Sequence, residues 1–480
     1  MADDFGLKIG LEGEKEFKKA LADINQSFKV LGSEMELVAS QFDKQDKSVE
    51  ALTARNTALN KEIDAQKQKI EMLQKALDNA TEMLIQEGWI DKDELYIDGT
   101  KIESKANRYT FVWRKTVERE LGKIREKARE LLKPENGYAT RGKLSEKVEA
   151  LEKEILEEGL TVQKGRGHHK PEKIRLRDHH KELLERWNSY EEKKRILGEK
   201  RNSYSKTDPD ATFMHMKDDH MRNGQLKPGY NVQFAVNSQF IVGVGVFSDR
   251  TDYAALEPML EKLKKQFGFR FRRIVADAGY ESLKNYRYLD ANGQEAYIKP
   301  NNYESSRTRK YKSQIGRAEN MSYYAPGDYY LCKNGRILSR IGTTTEQSKD
   351  GSKREAARYR CEDCRECPYR EACCKAKDPE KQKELVICHE LSKYREESLK
   401  RITTEEGKLL RVNRSIQAEG AFGQLKHNRG FVRFLTAGNV KVKSELMLLA
   451  ISQNIQKVIS KRNAGKLETH ILHPAAYLKF

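Results

Sequence analysis

The chain has 480 residues, 37% hydrophobic and 34% charged, and its 91 Lys+Arg against 73 Asp+Glu leave a net charge of +18. Its longest apolar run, Leu446 to Ile451, falls far short of the roughly 18 residues that span a bilayer, which excludes a polytopic membrane protein. The acidic start Met1-Ala2-Asp3-Asp4 is followed by no apolar leader, so a cytoplasmic protein is expected. The length suggests roughly two to four domains. The positive surplus points to an anionic partner, nucleic acid first, against the plainer reading of a soluble basic protein. The charge is uneven: residues 1–80 hold 12 Lys+Arg and 15 Asp+Glu, a net of −3, which leaves +21 for residues 81–480. Two parts with different roles are therefore expected.

The first eighty residues contain no Pro, Cys or Trp. From Val49 a heptad runs with Val49, Asn56, Ile63, Ile70, Leu77 and Leu84 at a, and Leu52, Leu59, Gln66, Leu73 and Ala80 at d. That period predicts a coiled coil, with Asn56 able to set register; the alternative is one amphipathic helix lying on another domain. The stretch Phe5-Gly6-Leu7-Lys8-Ile9-Gly10-Leu11-Glu12-Gly13, continued by Glu16-Phe17-Lys18-Lys19-Ala20-Leu21, resembles the start of phage tail tape-measure (minor tail) proteins. The resemblance covers about the first 80 residues and implies a structural helical segment without catalytic groups.

Beyond Glu87-Gly88-Trp89 the texture changes. Leu95–Thr100 reads as a strand running into Asp98-Gly99. Charged helices are expected over 114–133, 141–159 and 172–200, with a basic loop at Gly165–Pro171. Strands follow at Tyr230–Val236 and Phe240–Phe247, a helix over 252–266, and strands at Arg272–Asp277 and Glu295–Lys299. This order predicts an α/β fold built on a mixed sheet with insertions. Asp98 and Asp277 fall at the carboxyl ends of strands, where open sheets place their sites. Arg414–Lys426 reads as a helix in which Glu419 and Lys426, seven residues apart, share a face, with Phe422 and Leu425 packing on the sheet. Leu446–Ile459 reads as a core helix.

These residues resemble the DDE transposases of bacterial insertion sequences. Asp98–Glu103 with Tyr109–Lys115 resembles the opening of the catalytic core, Asp277-Ala278-Gly279-Tyr280 the second-aspartate motif, and Glu419 with Phe422-Gly423, Leu425-Lys426 and Arg429-Gly430-Phe431 the glutamate helix. Thr207–Ala211 and Gly229–Gln233 resemble further core motifs of one branch. The resemblance spans about residues 82–460 and implies a ribonuclease-H-like core. Asp98, Asp277 and Glu419 would hold two Mg2+ ions, roughly 3.5–4 Å apart, for cleavage and transfer of DNA strands. Lys426 would hold a phosphate. DNA, as element ends and target, is the implied partner, with a homodimer on paired ends and no membrane.

The family often carries Tyr and Arg seven and four residues before the glutamate; here Val412 and Ser415 stand there, and Arg414 is one residue off. Only residues 81–97 separate the tape-measure-like segment from Asp98, where the family places an end-binding helical domain. The chain is therefore expected to be a truncated, impaired fusion. The alternatives are a tail structural fragment acting through its coiled coil, or a zinc-stabilised DNA-binding remnant. Asp208 is the reserve for the first aspartate.

Five of the seven cysteines fall within 361–374. Cys361, Cys364, Cys367 and Cys373 suit structural Zn2+, with Cys374 or Cys332 as substitutes; an iron–sulfur cluster and unliganded thiols are the alternatives. Disulfides are not expected without secretion. His215, Asp218, Asp219 and His220 read as a polar loop, and His168-His169 and His179-His180 as solvated. The expected divisions are a tape-measure-like coiled coil over 1–80, first core strands over 81–113, a charged helical insert over 114–205, and core sheet and helices over 206–310. A Cys-rich insert over 311–400, a glutamate helix with a carboxyl-terminal core helix over 401–462, and a tail over 463–480 complete the chain.

Overall fold

The computed structural model describes residues 14–41, 48–133, 138–161, 170–199, 201–216, 224–348, 352–374, 376, 378 and 380–472. The motif at Phe5–Gly13, the basic loop's His168-His169, and Asp218, Asp219 and His220 lie outside them. In chain order come α1 (Glu14–Gln41), α2 (Val49–Gln86), β1 (Glu94–Glu103), β2 (Phe111–Trp113), α3 (Arg114–Leu132), α4 (Arg141–Glu157), α5 (Glu172–Leu197), β3 (Ser203–Ser205), β4 (Thr212–His215), β5 (Leu226–Asn237) and β6 (Phe240–Phe247). Then follow α6 (Leu256–Phe267), β7 (Arg273–Ala276), α7 (Leu283–Ala291), β8 (Glu295–Ile298), the one-turn helices α8 (Tyr303–Ser306) and α9 (Arg309–Lys312), β9 (Ser322–Tyr324), β10 (Tyr329–Leu331), β11 (Ile337–Gln347) and β12 (Lys353–Cys361). The chain continues with α10 (Arg370–Cys373), β13 (Glu384–Ile387), α11 (His389–Thr403), α12 (Glu405–Arg414), α13 (Gly420–Gly423) and α14 (Asn439–Asn463).

The chain divides into two compact units. The first holds residues 1–100, 231–432 and 440–480; the second holds 101–230 and 433–439.

The first unit is built on a mixed sheet in the order β6-β5-β1-β7-β8. β5 and β6 pair antiparallel, as a short Asn237–Phe240 connection allows. β1, β7 and β8 run parallel, with α7 as the crossover between the last two. Such an arrangement is consistent with a ribonuclease-H-like fold. The strands are apolar on both faces because helices cover them: Leu256, Met259, Leu260 and Leu263 of α6 are buried at helical spacing. A second sheet in this unit, β13-β12-β11-β10-β9, is wholly antiparallel, and most of the cysteine cluster lies in the segment between β12 and β13.

Helix α2 passes residue 80 without a break and ends at Gln86. Its Leu73, Leu77 and Leu84 are buried, and Leu84 joins the main core. Nearer its start, the buried residues are Ala51 and Ala58, while Leu52, Leu59 and Ile63 are exposed. There the buried face is thus one residue out of phase with the expected a and d positions, because the small alanines are the ones turned inward.

In the second unit α3, α4 and α5 coincide closely with the expected charged helices. Their buried residues Val117, Leu121, Ile124, Leu144, Leu183 and Trp187 form a core with Tyr204 of β3.

Candidate active site

Two carboxylates are brought together by strand register. Ile97 of β1 lies opposite Ala276 of the parallel β7, so Asp98 and Asp277 occupy neighbouring positions on strands about 4.8 Å apart. The expected strand end at Asp98 is not found: β1 runs on to Glu103, so Asp98 lies mid-strand, whereas β7 stops at Ala276 and Asp277 follows its end. Asp98 is buried, at 5% exposure. Asp277 caps the turn Ala278–Tyr280, its carboxylate accepting the Gly279 N–H at 2.8 Å.

The third acid sits on a helical run that is not uniformly α. After α12, residues Ser415–Glu419 form a π-turn, α13 follows, and Gln424–Asn428 form a second π-turn. Five residues on an α-helix stand about 140° apart; a π-turn brings them onto one face. Arg414 and Glu419 are therefore joined, with Arg414 Nη2 donating to Glu419 Oε1 at 2.5 Å. Its Nη1 lies 3.4 Å from Asp98 Oδ1. Burial opposes the Arg414 charge, but the carboxylates of Asp98, Glu419 and Asp277 outweigh it and hold its pKa above the ordinary value. One guanidinium thus feels all three acids. The same π-turn absorbs the one-residue offset of Arg414. It also changes the helical phase: Glu419 is half exposed, whereas Lys426 on the second π-turn is buried. Phe422 stacks on Phe234 of β5 with centroids 4.4 Å apart, and Leu425 is fully buried, which fixes the run against the sheet.

A fourth carboxylate, Asp252, went unread in the sequence. It opens the turn before α6 and accepts from Asn231 Nδ2 and Gln233 Nε2 of β5, both at 2.8 Å. Tyr280 donates to the Gln233 carbonyl oxygen. Burial, then Asp252, Asp98 and Asp277, pushes that phenol well above its ordinary range. A Cβ on Gly279 would lie 3.0 Å from both Asp252 Oδ2 and Asp277 Oδ1. The available signal was an Asp one turn ahead of an apolar helix, too common to single out.

Asp208, the reserve, is taken up structurally in the second unit. It is 1% exposed and accepts from Ser104 Oγ at 2.5 Å, Tyr230 Oη at 2.8 Å and the Gly438 N–H at 3.1 Å. His180 is buried rather than solvated, donating from Nδ1 to the Leu176 carbonyl at 2.6 Å. His179 and His215 are exposed.

Six cysteines, Cys332, Cys361, Cys364, Cys367, Cys373 and Cys374, line one pocket. Cys388 lies apart, in the main core. Cys364 Sγ accepts the Lys383 N–H at 3.2 Å, and Cys361 Sγ donates to the Asp363 carbonyl at 3.3 Å. Burial pushes the Cys361 thiol well above its ordinary range. Among the described residues, no group of three or more His, Cys, Asp or Glu side chains is already arranged to hold a metal ion. At the acids, the positive charge comes from Arg414. Three carboxylates within reach of one cationic group are nevertheless the donor chemistry that a hard divalent ion selects. Among the described residues, no helix is long and apolar enough to cross a membrane.

No curated protein and no solved structure matches the chain. A family model described as a transposase DDE domain matches residues 331–459. That span includes Arg414, Glu419, Lys426 and the cysteine cluster, and excludes both aspartates. The match supports a DDE transposase core.

Proposed function

We propose that this chain is a metal-dependent DNA strand-cleaving and strand-joining enzyme of the DDE transposase type, impaired in this fused form, with Asp98, Asp277 and Glu419 as its acids. The observation that carries this reading is the shared partner: Asp98 and Glu419 both pair with Arg414, and register sets Asp277 beside Asp98. Asp98, Asp277 and Glu419 would hold Mg2+, which when bound activates the attacking oxygen and stabilises the leaving one. Asp252, anchored by Asn231 and Gln233, walls the site. Lys426, which is buried here, would have to turn outward to bind a phosphate as a point charge. Water attacks in the first cut, and the freed 3′-hydroxyl attacks target DNA in the joining step. The +21 charge on residues 81–480 holds the DNA backbone through salt-sensitive contacts. Paired element ends call for a homodimer.

The same reading gives the Cys-rich sheet a structural Zn2+ on Cys361, Cys364, Cys367 and Cys373. It is supported by their common pocket and requires the partly exposed thiols of Cys367 and Cys373 to rotate inward.

The decisive experiment is Asp277→Asn in the full chain. Mg2+- or Mn2+-dependent nicking of DNA is expected to fall by at least about a hundredfold, while salt-dependent DNA binding persists. Nicking that survives the substitution, or a parent chain that never nicks DNA with either ion, overturns the reading.

A further inference from the structure

Arg414 is placed unlike an ordinary surface cation. Its side chain is 15% exposed and its Nη1 is buried without a hydrogen-bond partner, 3.4 Å from Asp98 Oδ1. Its Nη2 is bonded to Glu419. The planar fork thus spans two of the acids expected to hold the metal, and the π-turn Ser415–Glu419 is what brings it there. A divalent ion bound by these acids needs the same carboxylate oxygens and brings the same sign of charge.

We propose that Arg414 is a positioning residue that stands in the cation's place between Asp98 and Glu419, so that metal loading and withdrawal of this guanidinium are one event. The inference rests on the reading that these acids bind the metal. With Arg414 in place, the buried Asp98 keeps its counter-charge and its geometry. An incoming ion must replace that interaction, and its apparent affinity falls by the equilibrium constant for withdrawing the arginine. The fork matters as well as the charge: a lysine ammonium is a compact point charge that cannot serve both carboxylates in the same way.

The test is Mn2+ binding to the DNA-free full chain by isothermal titration calorimetry. Arg414→Gln is expected to bind Mn2+ about tenfold more tightly than the parent, because a close competing positive charge is gone. Arg414→Lys should fall between the two, and it serves alone if the Gln variant does not fold. Unchanged or weaker Mn2+ affinity in the folded variants, with binding still abolished by Asp277→Asn, overturns this proposal and leaves the acid site standing. Mn2+ affinity that Asp277→Asn does not alter, in parent and Arg414→Gln alike, means that the ion binds elsewhere, and both readings fall.

Discussion

At the scale of single residues, the site depends on how closely side chains approach the backbone of β1. A Cβ on Gly99 would collide with the Gln233 side-chain amide and lie 2.8 Å from Asp252 Oδ1. Glycine here is a matter of space, since nothing flexible and non-polar can give way. Gly99→Ala is expected to push Gln233 and Asp252 out of their hydrogen bonds and to cost about 1–3 kcal/mol, as overpacking of a tight site does. The urea midpoint of the full chain should drop accordingly, and Mn2+ affinity should drop with it. An unchanged midpoint would mean that the site has slack that this packing does not show. Glu281 shows the complementary device: it is buried, and Arg395 of α11 clamps it at 2.6 and 3.0 Å. That pair anchors the loop just after Asp277.

At the scale of elements, helix α6 carries a built-in pH dependence. Lys262 donates to the Val244 carbonyl of β6 at 3.0 Å. Burial first, then the charge of Lys443 on α14, lowers its pKa to about 8, against the opposing pull of Asp78 on α2. The folded pKa is therefore below the unfolded one. Between about pH 8 and 10.5 the unfolded chain holds a proton that the folded chain does not, so stability rises with pH across that window. Lys262→Met removes the cost of burying the ammonium; it should be more stable than the parent near pH 7, by about 2 kcal/mol, and should show a flatter rise to pH 10. Lys461, lowered to about 8 by burial and Lys457, keeps part of that rise in the variant. Denaturant midpoints measured at pH 7, 8.5 and 10 check the sign: a parent chain whose stability falls over this range contradicts it.

Much at this scale was legible in the sequence. Strands β5 to β8, helix α6 and the three charged helices α3 to α5 lie close to where periodicity placed them, because their apolar residues recur at the spacing of the element they form. The two π-turns were not legible. Their residues have ordinary helical character, and the extra residue per turn is tolerated because Phe422 and Leu425 are held against the sheet. The antiparallel sheet β9–β13 was also missed. Its strands are short or exposed on both faces, as the unbroken exposed run from Ser339 to Thr343 of β11 shows, and a strand solvated on both faces has no alternating apolar signal.

At the scale of the whole molecule, the cysteine cluster gathers residues from separate segments around one pocket. Cys361 ends β12 and Cys373 ends α10, so an ion held by Cys361, Cys364, Cys367 and Cys373 would fasten the end of β12 to the segment that follows it, and one that took Cys332 instead would also reach the end of β10. Purified chain should hold about one equivalent of zinc by mass spectrometry. Stripping it with a chelator should lower the melting temperature without altering Mn2+ affinity at the acids. Less than about half an equivalent, with no thermal effect of chelator, would leave the cysteines as plain thiols.

The sequence by itself determined the chemical inventory: which acids accompany apolar strand segments, which helices are amphipathic, and where positive charge and cysteines concentrate. These are local properties, set by residue type and spacing along the chain. Only the tertiary structure decided which of them meet. It set Asp277 beside Asp98 through parallel register, drew Asp252 into the same wall, and withdrew Asp208 into a saturated hydrogen-bond network. It also turned the one-residue displacement of Arg414 into contact with Glu419, because a π-turn, held by packing on the sheet, changes which residues share a face.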